Sequence, residues 1–268
     1  MSNPALESLR ASALGLTLGH LQSESDSPRG NVFVVFGPPG GVGKTTLAVN
    51  LALAFAQEEG TARVGLIDFD FRLNDVGPAL GLPVERNFAA LAAGQVRLTV
   101  YAVKQYLYHH SSGLDVLPSF DQPSQRRNLD TAHVERVLSL LRRAYSHLVV
   151  DTAGNLNEAV NHALQLARQV LVVQPTDLRT LRDGELAIER LRSCNVPQEN
   201  IKVVLNSVRS VSYFDAASVE RGLGFPVLDS IPYDPLVIES TQAGAPIVLS
   251  YPDSDVARTL KLLARSLL

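Results

Sequence analysis

Apolar residues in this chain gather into short, dense runs separated by longer stretches of helical spacing. Val32-Phe33-Val34-Val35-Phe36, Arg63 to Ile67, Gly113 to Pro118, Leu148-Val149-Val150, Val170 to Val173, Ile201 to Leu205 and Phe225 to Ile231 each read as a strand. Most are apolar at successive positions, as strands covered on both faces are. Between them lie helical patterns. Leu47 to Ala56 is apolar on nearly every side, Asn87 to Ala93 and Val100 to His109 read as shorter helices, and a helix beginning at Asp130 carries Val134, Val137, Leu138 and Leu141 at i, i+3, i+4 and i+7. Leu178 to Cys194 and Ala257 to Leu268 complete the set. Alternation of this kind predicts an α/β domain, with a mostly parallel sheet of about seven or eight strands and helices on both faces.

Residues 1–30 stand apart. Ala5 to Leu18 has a weak helical stripe, and Gln22 to Gly30 reads as a flexible polar linker, so the expected division is an extension over 1–30 and one domain over 31–268. No apolar run reaches the ~18 residues of a spanning helix, and the N-terminus lacks the charge pattern of a signal peptide. Net charge is −3, which supplies no global field for nucleic acid, and the arginines of the 178–194 helix alternate with Asp183, Glu185 and Glu189. Cys194 is the only cysteine, which fits a reducing cytoplasm and counts against a thiolate-held iron–sulfur cluster. The closing helix has Arg258, Lys261 and Arg265 beside its apolar stripe; docking on the core is the expectation, a membrane surface the alternative.

The chemistry concentrates after the first strand. Gly37-Pro38-Pro39-Gly40-Gly41-Val42-Gly43-Lys44-Thr45-Thr46 joins a strand to a buried helix. Glycines allow consecutive N–H groups to face one anion, and the helix N-terminus adds partial positive charge. Lys44 then reaches terminal phosphates and the Thr45 hydroxyl ligates Mg²⁺. Three carboxylates follow strands where open α/β sheets bind ligands: Asp68 and Asp70 after the second strand, and Asp151 in Asp151-Thr152-Ala153-Gly154. Of the Asp68–Asp70 pair, one suits a metal-bound water and the other the attacking water. In phosphate-loop proteins the Asp of such an Asp-x-x-Gly turn sits near the metal and the Gly N–H can bond the γ-phosphate, the roles expected of Asp151 and Gly154. Asn206-Ser207-Val208-Arg209 lacks the lysine and aspartate of a guanine site, which favours ATP over GTP. His109-His110 reads as a surface turn rather than a metal pair.

These motifs resemble the ParA/MinD-type ATPases, SIMIBI-like P-loop NTPases whose deviant Walker A loop runs K-G-G-x-G-K-[ST]. Gly40, Gly41, Gly43, Lys44 and Thr45 match it, and the first lysine falls on Pro39. Asp68-x-Asp70 with Asp75-Val76, Leu205-Asn206, Ile231-Pro232-Tyr233-Asp234 and Gly244-Ala245-Pro246 are similar to landmarks of the CpaE/TadZ group, linked to pilus assembly. The resemblance implies that Gly40 to Thr46, Val42 included, hold phosphates and that Thr45, Asp68 and Asp151 serve Mg²⁺. It implies that Asp70 orients the hydrolytic water and that Asn206, Pro232 and Asp234 hold adenine. It further implies an ATP-dependent homodimer acting at a cytoplasmic, polar or membrane-peripheral landmark, with DNA partitioning as in ParA itself the alternative that the mixed charges do not favour. A lysine at position 39 would cross to the partner's nucleotide; with proline there, the expectation is nucleotide binding with weak hydrolysis, or use of another cation such as Arg72.

Overall fold

The computed structural model describes residues 29–58, 60, 62–93, 97–120, 131–176, 180–210 and 214–268. The helix read over Ala5 to Leu18, the connection Pro123 to Asn128 and the first residues of the Asp130 and Leu178 helices lie outside them. Within them the strands are β1 (Asn31–Phe36), β2 (Val64–Phe69), β3 (Tyr108–His109), β4 (Asp115–Leu117), β5 (His147–Thr152), β6 (Gln169–Pro175), β7 (Ile201–Asn206) and β8 (Val227–Ile231). They form one sheet in the order β3-β4-β2-β5-β1-β6-β7-β8, parallel except for the β3–β4 edge.

β1 lies between β5 and β6 and is buried on both faces, because its alternate side chains enter two different cores. Val32, Val34 and Phe36 join α5 (Thr131–Ala144), α6 (Glu158–Leu166), α7 (Leu181–Ser193) and α8 (Ala216–Leu223) on one side of the sheet. Phe33 and Val35 join α1 (Lys44–Glu58), α10 (Ile247–Ser250) and α11 (Asp255–Leu267) on the other. This two-sided coverage is why the strands read as continuous apolar runs rather than as alternating ones. α1 is apolar nearly all round because it is held between the sheet and α11. The stripe of α11, with Val256, Ala257, Leu260, Leu263, Ala264 and Leu267, is buried there, and Arg265 closes the seam through two bonds to Glu58 at 2.7 and 2.9 Å. Core docking, not an open amphipathic face, is what this helix does. Among the described residues no helix is long and apolar enough to cross a membrane.

Two expectations need correcting. The helix predicted over Val100 to His109 stops at Lys104 as α4 (Val100–Lys104), and Tyr108-His109 becomes the antiparallel edge strand β3. Tyr108 is drawn into the sheet because its ring stacks under Arg86 at 4.3 Å and its hydroxyl accepts the Arg86 N–H at 2.9 Å. Gly30, placed at the end of the polar linker, is buried instead; its N–H donates to Arg142 O at 2.8 Å, and Arg142 Nε returns a bond to Gly30 O at 3.0 Å. His109 bonds Asp115 and His110 bonds Ser112, both at 2.8 Å, so each is occupied within its own turn.

The remaining helices, α2 (Val76–Ala79), α3 (Phe88–Ala93) and α9 (Pro235–Gln242), pack around the strands' C-terminal ends. There the loops after β1, β2, β5, β7 and β8 converge, at the point where neighbouring connections leave in opposite directions.

Candidate functional site

The loop between β1 and α1 is shaped by glycine. Gly40 and Gly43 sit at φ +94 and +93, conformations that side chains disfavour. At Gly43 a Cβ would also lie 2.2 Å from Asn206 Nδ2, whereas at Gly40 it would meet nothing within 4 Å. The two alanine substitutions should therefore separate: each carries backbone strain of about 1–2 kcal/mol, and only Gly43→Ala displaces Asn206. Titration with a fluorescent ATP analogue is expected to show Gly43→Ala weaker than Gly40→Ala by roughly tenfold.

Asn206 is more than a cleft-wall residue. Its amide donates to Val42 O at 2.9 Å, tying the end of β7 to the loop across 164 residues. Val42 itself is buried, so its side chain anchors the loop in the core while its carbonyl takes this bond. Gly154, at φ +76, packs beneath the loop entry, where a Cβ would stand 2.3 Å from Gly37 O. Its carbonyl accepts from Arg190 Nη1 at 3.3 Å.

Lys44 is buried, and its Nζ donates to Pro38 O at 2.8 Å. Burial pulls its pKa down, against the pull of Asp151 and Asp70. The Thr45 hydroxyl donates to Asp151 Oδ2 at 2.6 Å. Asp151 is fully buried, and its Oδ1 has no hydrogen-bond partner. Such an orphaned carboxylate oxygen is costly unless a cation or its water is to be met there. Burial raises the Asp151 pKa, with Thr45 and Lys44 drawing it back. These residues fit Mg²⁺: a hard cation with oxygen ligands suits a hydroxyl and a carboxylate side by side.

Asp68 and Asp70 divide their work. β2 ends at Phe69, so the pair does not share a strand face. Asp68 is fully buried; Oδ1 accepts the Asp70 N–H at 2.8 Å and Oδ2 accepts from Ser119 Oγ at 3.1 Å. Burial, reinforced by Asp151, raises its pKa well above the carboxylate range. Through these bonds it supports the turn from below. Asp70 lines the groove, and its Oδ1 accepts the N–H groups of Arg72 at 2.9 Å and Leu73 at 3.3 Å.

Sequence reasoning did not single out Ser119 or assign Asn74 a role. Both are buried; Ser119 Oγ also lies 3.2 Å from Asp70 O and 3.3 Å from Asn74 Oδ1, and the Asn74 amide donates to Phe120 O. The available signal was position: Ser119 follows Leu117-Pro118 at the C-terminal end of a parallel strand.

Two compartments share Gly41, Gly43 and Thr46, so they form one continuous groove. The first is bounded by Asn206, Val208, Pro232, Tyr233, Asp234 and Ile238. Asp234 also caps α9 by accepting the Leu236 N–H at 2.9 Å. The second holds Lys44, Thr45, Asp70 and Arg72. An apolar recess that opens into a glycine loop with a buried lysine has the form of a nucleotide site, base at one end and phosphates at the other.

The model of the CobQ/CobB/MinD/ParA nucleotide binding domain matches residues 33–247. The chain belongs to this family. A septum site-determining protein of the MinD type from Guillardia theta is 30% identical over 228 residues, covering 81% of this chain and 81% of that protein. An iron–sulfur cluster carrier protein from Aquifex aeolicus is 31% identical over 257 residues, covering 88% of this chain and 67% of the relative. The solved structure of the septum site-determining protein MinD from Pyrococcus horikoshii, complexed with Mg-ADP, superposes with a TM-score of 0.76 at 21% identity, over 88% of this chain and 95% of that one. The superposition shows that the two chains share a fold.

Proposed function

We propose that this chain is a Mg²⁺-dependent ATPase switch of the ParA/MinD kind. The observation that carries the reading is the convergence of Lys44, Thr45 and Asp151 beneath a loop whose other end opens on a base-sized recess. Lys44 leaves Pro38 O for the phosphates, Gly40 to Thr46 supply N–H donors, and Asp70 orients the attacking water. Asn206, Pro232 and Asp234 border the adenine. Mg²⁺ held by Thr45 and Asp151, with Asp68 behind, would offset phosphate charge. Two copies would close on ATP and part after hydrolysis, which makes residence at a partner a timed event. The landmarks around Ile231 to Asp234 and Gly244 to Pro246 favour a cytoplasmic pilus or polar machine as that partner, in line with the CpaE/TadZ resemblance.

Pro39 sets the expected pace. It carries neither an N–H nor a charge, so a lysine that would reach a partner's phosphate is missing. Slow turnover is the consequence, and a scaffold that binds ATP with little hydrolysis is the second reading that this residue favours. Pro39→Lys is expected to raise ATP turnover by about 10²-fold or more, the scale on which one well-placed donor or cation acts at developing negative charge. Steady-state turnover of the purified chain, with Lys44→Ala as background, checks it. Equal rates for wild type and Lys44→Ala would remove the active switch and leave the scaffold. Oligomeric state by light scattering with ADP and with ATP tests the closing of two copies; a monomer under both would sink it. Iron–sulfur carriage, suggested by the Aquifex relative, finds one cysteine in this chain, Cys194, half-buried at the end of α7.

A further inference from the structure

The phosphate half of the groove contains two cationic side chains. Lys44 comes from the glycine loop, and Arg72 comes from the turn after β2. Arg72 Nε lies 3.7 Å from Asp70 Oδ1, with 47% of the side chain exposed at the groove mouth. Both side chains line the same compartment. The two cations therefore address one volume. The backbone of the turn is fixed from several sides. Asp70 holds the N–H groups of Arg72 and Leu73, while Asn74, at φ +55, is pinned by its amide to Phe120 O. A long side chain on a fixed backbone can exchange one anionic partner for another at little entropic cost. Position 39, by contrast, offers the groove no charge.

We propose that Arg72 is a catalytic residue acting within its own subunit, a second cation for the terminal phosphate of bound ATP. The proposal rests on the ATPase reading above. With the groove empty of triphosphate, Arg72 sits against Asp70. When a γ-phosphate arrives, the guanidinium turns to it, in a geometry suited to two oxygens at once, and uncovers Asp70 for the attacking water. In the reaction a water oxygen bonds to the γ-phosphorus and the bond from that phosphorus to the β–γ bridging oxygen breaks. ADP and inorganic phosphate leave, and one proton from water passes to solvent. Negative charge grows on the bridging oxygen and spreads over the γ-oxygens, where Arg72 and Lys44 stand. A cation supplied within the chain makes the recognition of ATP over ADP independent of a second copy. A lysine reaching across an interface could not do that.

The experiment compares Mg-ADP with Mg-AMPPNP, a non-hydrolysed ATP analogue, by calorimetry. It uses wild type, Arg72→Ala, Arg72→Lys and Arg72→Ala/Pro39→Lys, with unliganded melting temperature as the folding check. Arg72→Ala is expected to lose about tenfold in AMPPNP affinity while ADP affinity stays within twofold. Arg72→Lys, which keeps the charge but not the two-oxygen geometry, should retain only part of the preference. The double variant should regain it only at protein concentrations where two copies associate. Turnover by Arg72→Ala should fall through kcat more than through KM. An Arg72→Ala protein that weakens both nucleotides alike, or neither, overturns the proposal while leaving the ATPase reading intact. Wild type that binds neither nucleotide overturns that reading and the proposal with it.

Discussion

Lys44→Ala is expected to lower ATP affinity by about a hundredfold or more. The buried ammonium contributes charge-assisted hydrogen bonds to phosphate, each of about 1.5–3 kcal/mol, and two of them correspond to a factor of roughly 10² or above. The resting structure adds a second expectation. Without a phosphate, Lys44 is a desolvated cation that donates to the Pro38 carbonyl, and burial already lowers its pKa. Removing it relieves that cost while leaving one carbonyl less well satisfied. The fold should therefore keep its stability within about 1 kcal/mol. Nucleotide titration and urea unfolding on the same preparation check both halves. A variant that loses binding because it is unfolded would refute the argument, as would one that binds ATP as wild type does.

The second large effect is a proton linkage at Asp151. Its pKa in the folded, metal-free chain is raised by burial to about 7, and that of buried Asp68 is raised too. A carboxyl whose folded pKa lies above its unfolded value holds its proton more tightly when folded. The stability it contributes is present at low pH and is lost as pH rises from about 4 towards about 7. The unliganded protein should accordingly melt at a higher temperature near pH 5.5 than near pH 8. Mg²⁺ with nucleotide favours the ionised form, so it should restore stability most at the alkaline end. Binding near pH 6 should release close to one proton per site, read from calorimetry in buffers of different ionisation enthalpy. Asp151→Asn should flatten the slope and abolish the Mg²⁺-dependent part. A wild-type slope of opposite sign would show that other groups dominate this range.

Legibility differed from place to place for physical reasons. β1, the loop and α1 could be read because burial on both faces leaves long apolar runs and because glycine spacing is a local requirement of anion binding. Asp68, Asp70 and Asp151 could be placed because parallel strands deliver their C-terminal residues to one edge. The brace under Asp68 could not be foreseen: Ser119 is 51 residues away, and one hydroxyl meeting a carboxylate leaves no periodic trace. The bond from Asn206 to Val42 O is of the same kind. β3 was missed because two residues are too few to set a period, and Tyr108 is placed by Arg86, which lies on another segment. The groove depends on segments 40–47, 70–75, 206–208 and 231–238 standing together.

Asn206 has a consequence for how such a site could change its taste. On the proposed function, the side chain that borders the base recess also braces the loop that cradles phosphate, and a Cβ at Gly43 would stand 2.2 Å from its amide. A substitution that recasts the recess for another base would slacken the phosphate grip in the same step. Base preference and phosphate affinity are thus one inherited trait here. A lineage drifting toward a different nucleotide would first have to find a new strut for Val42.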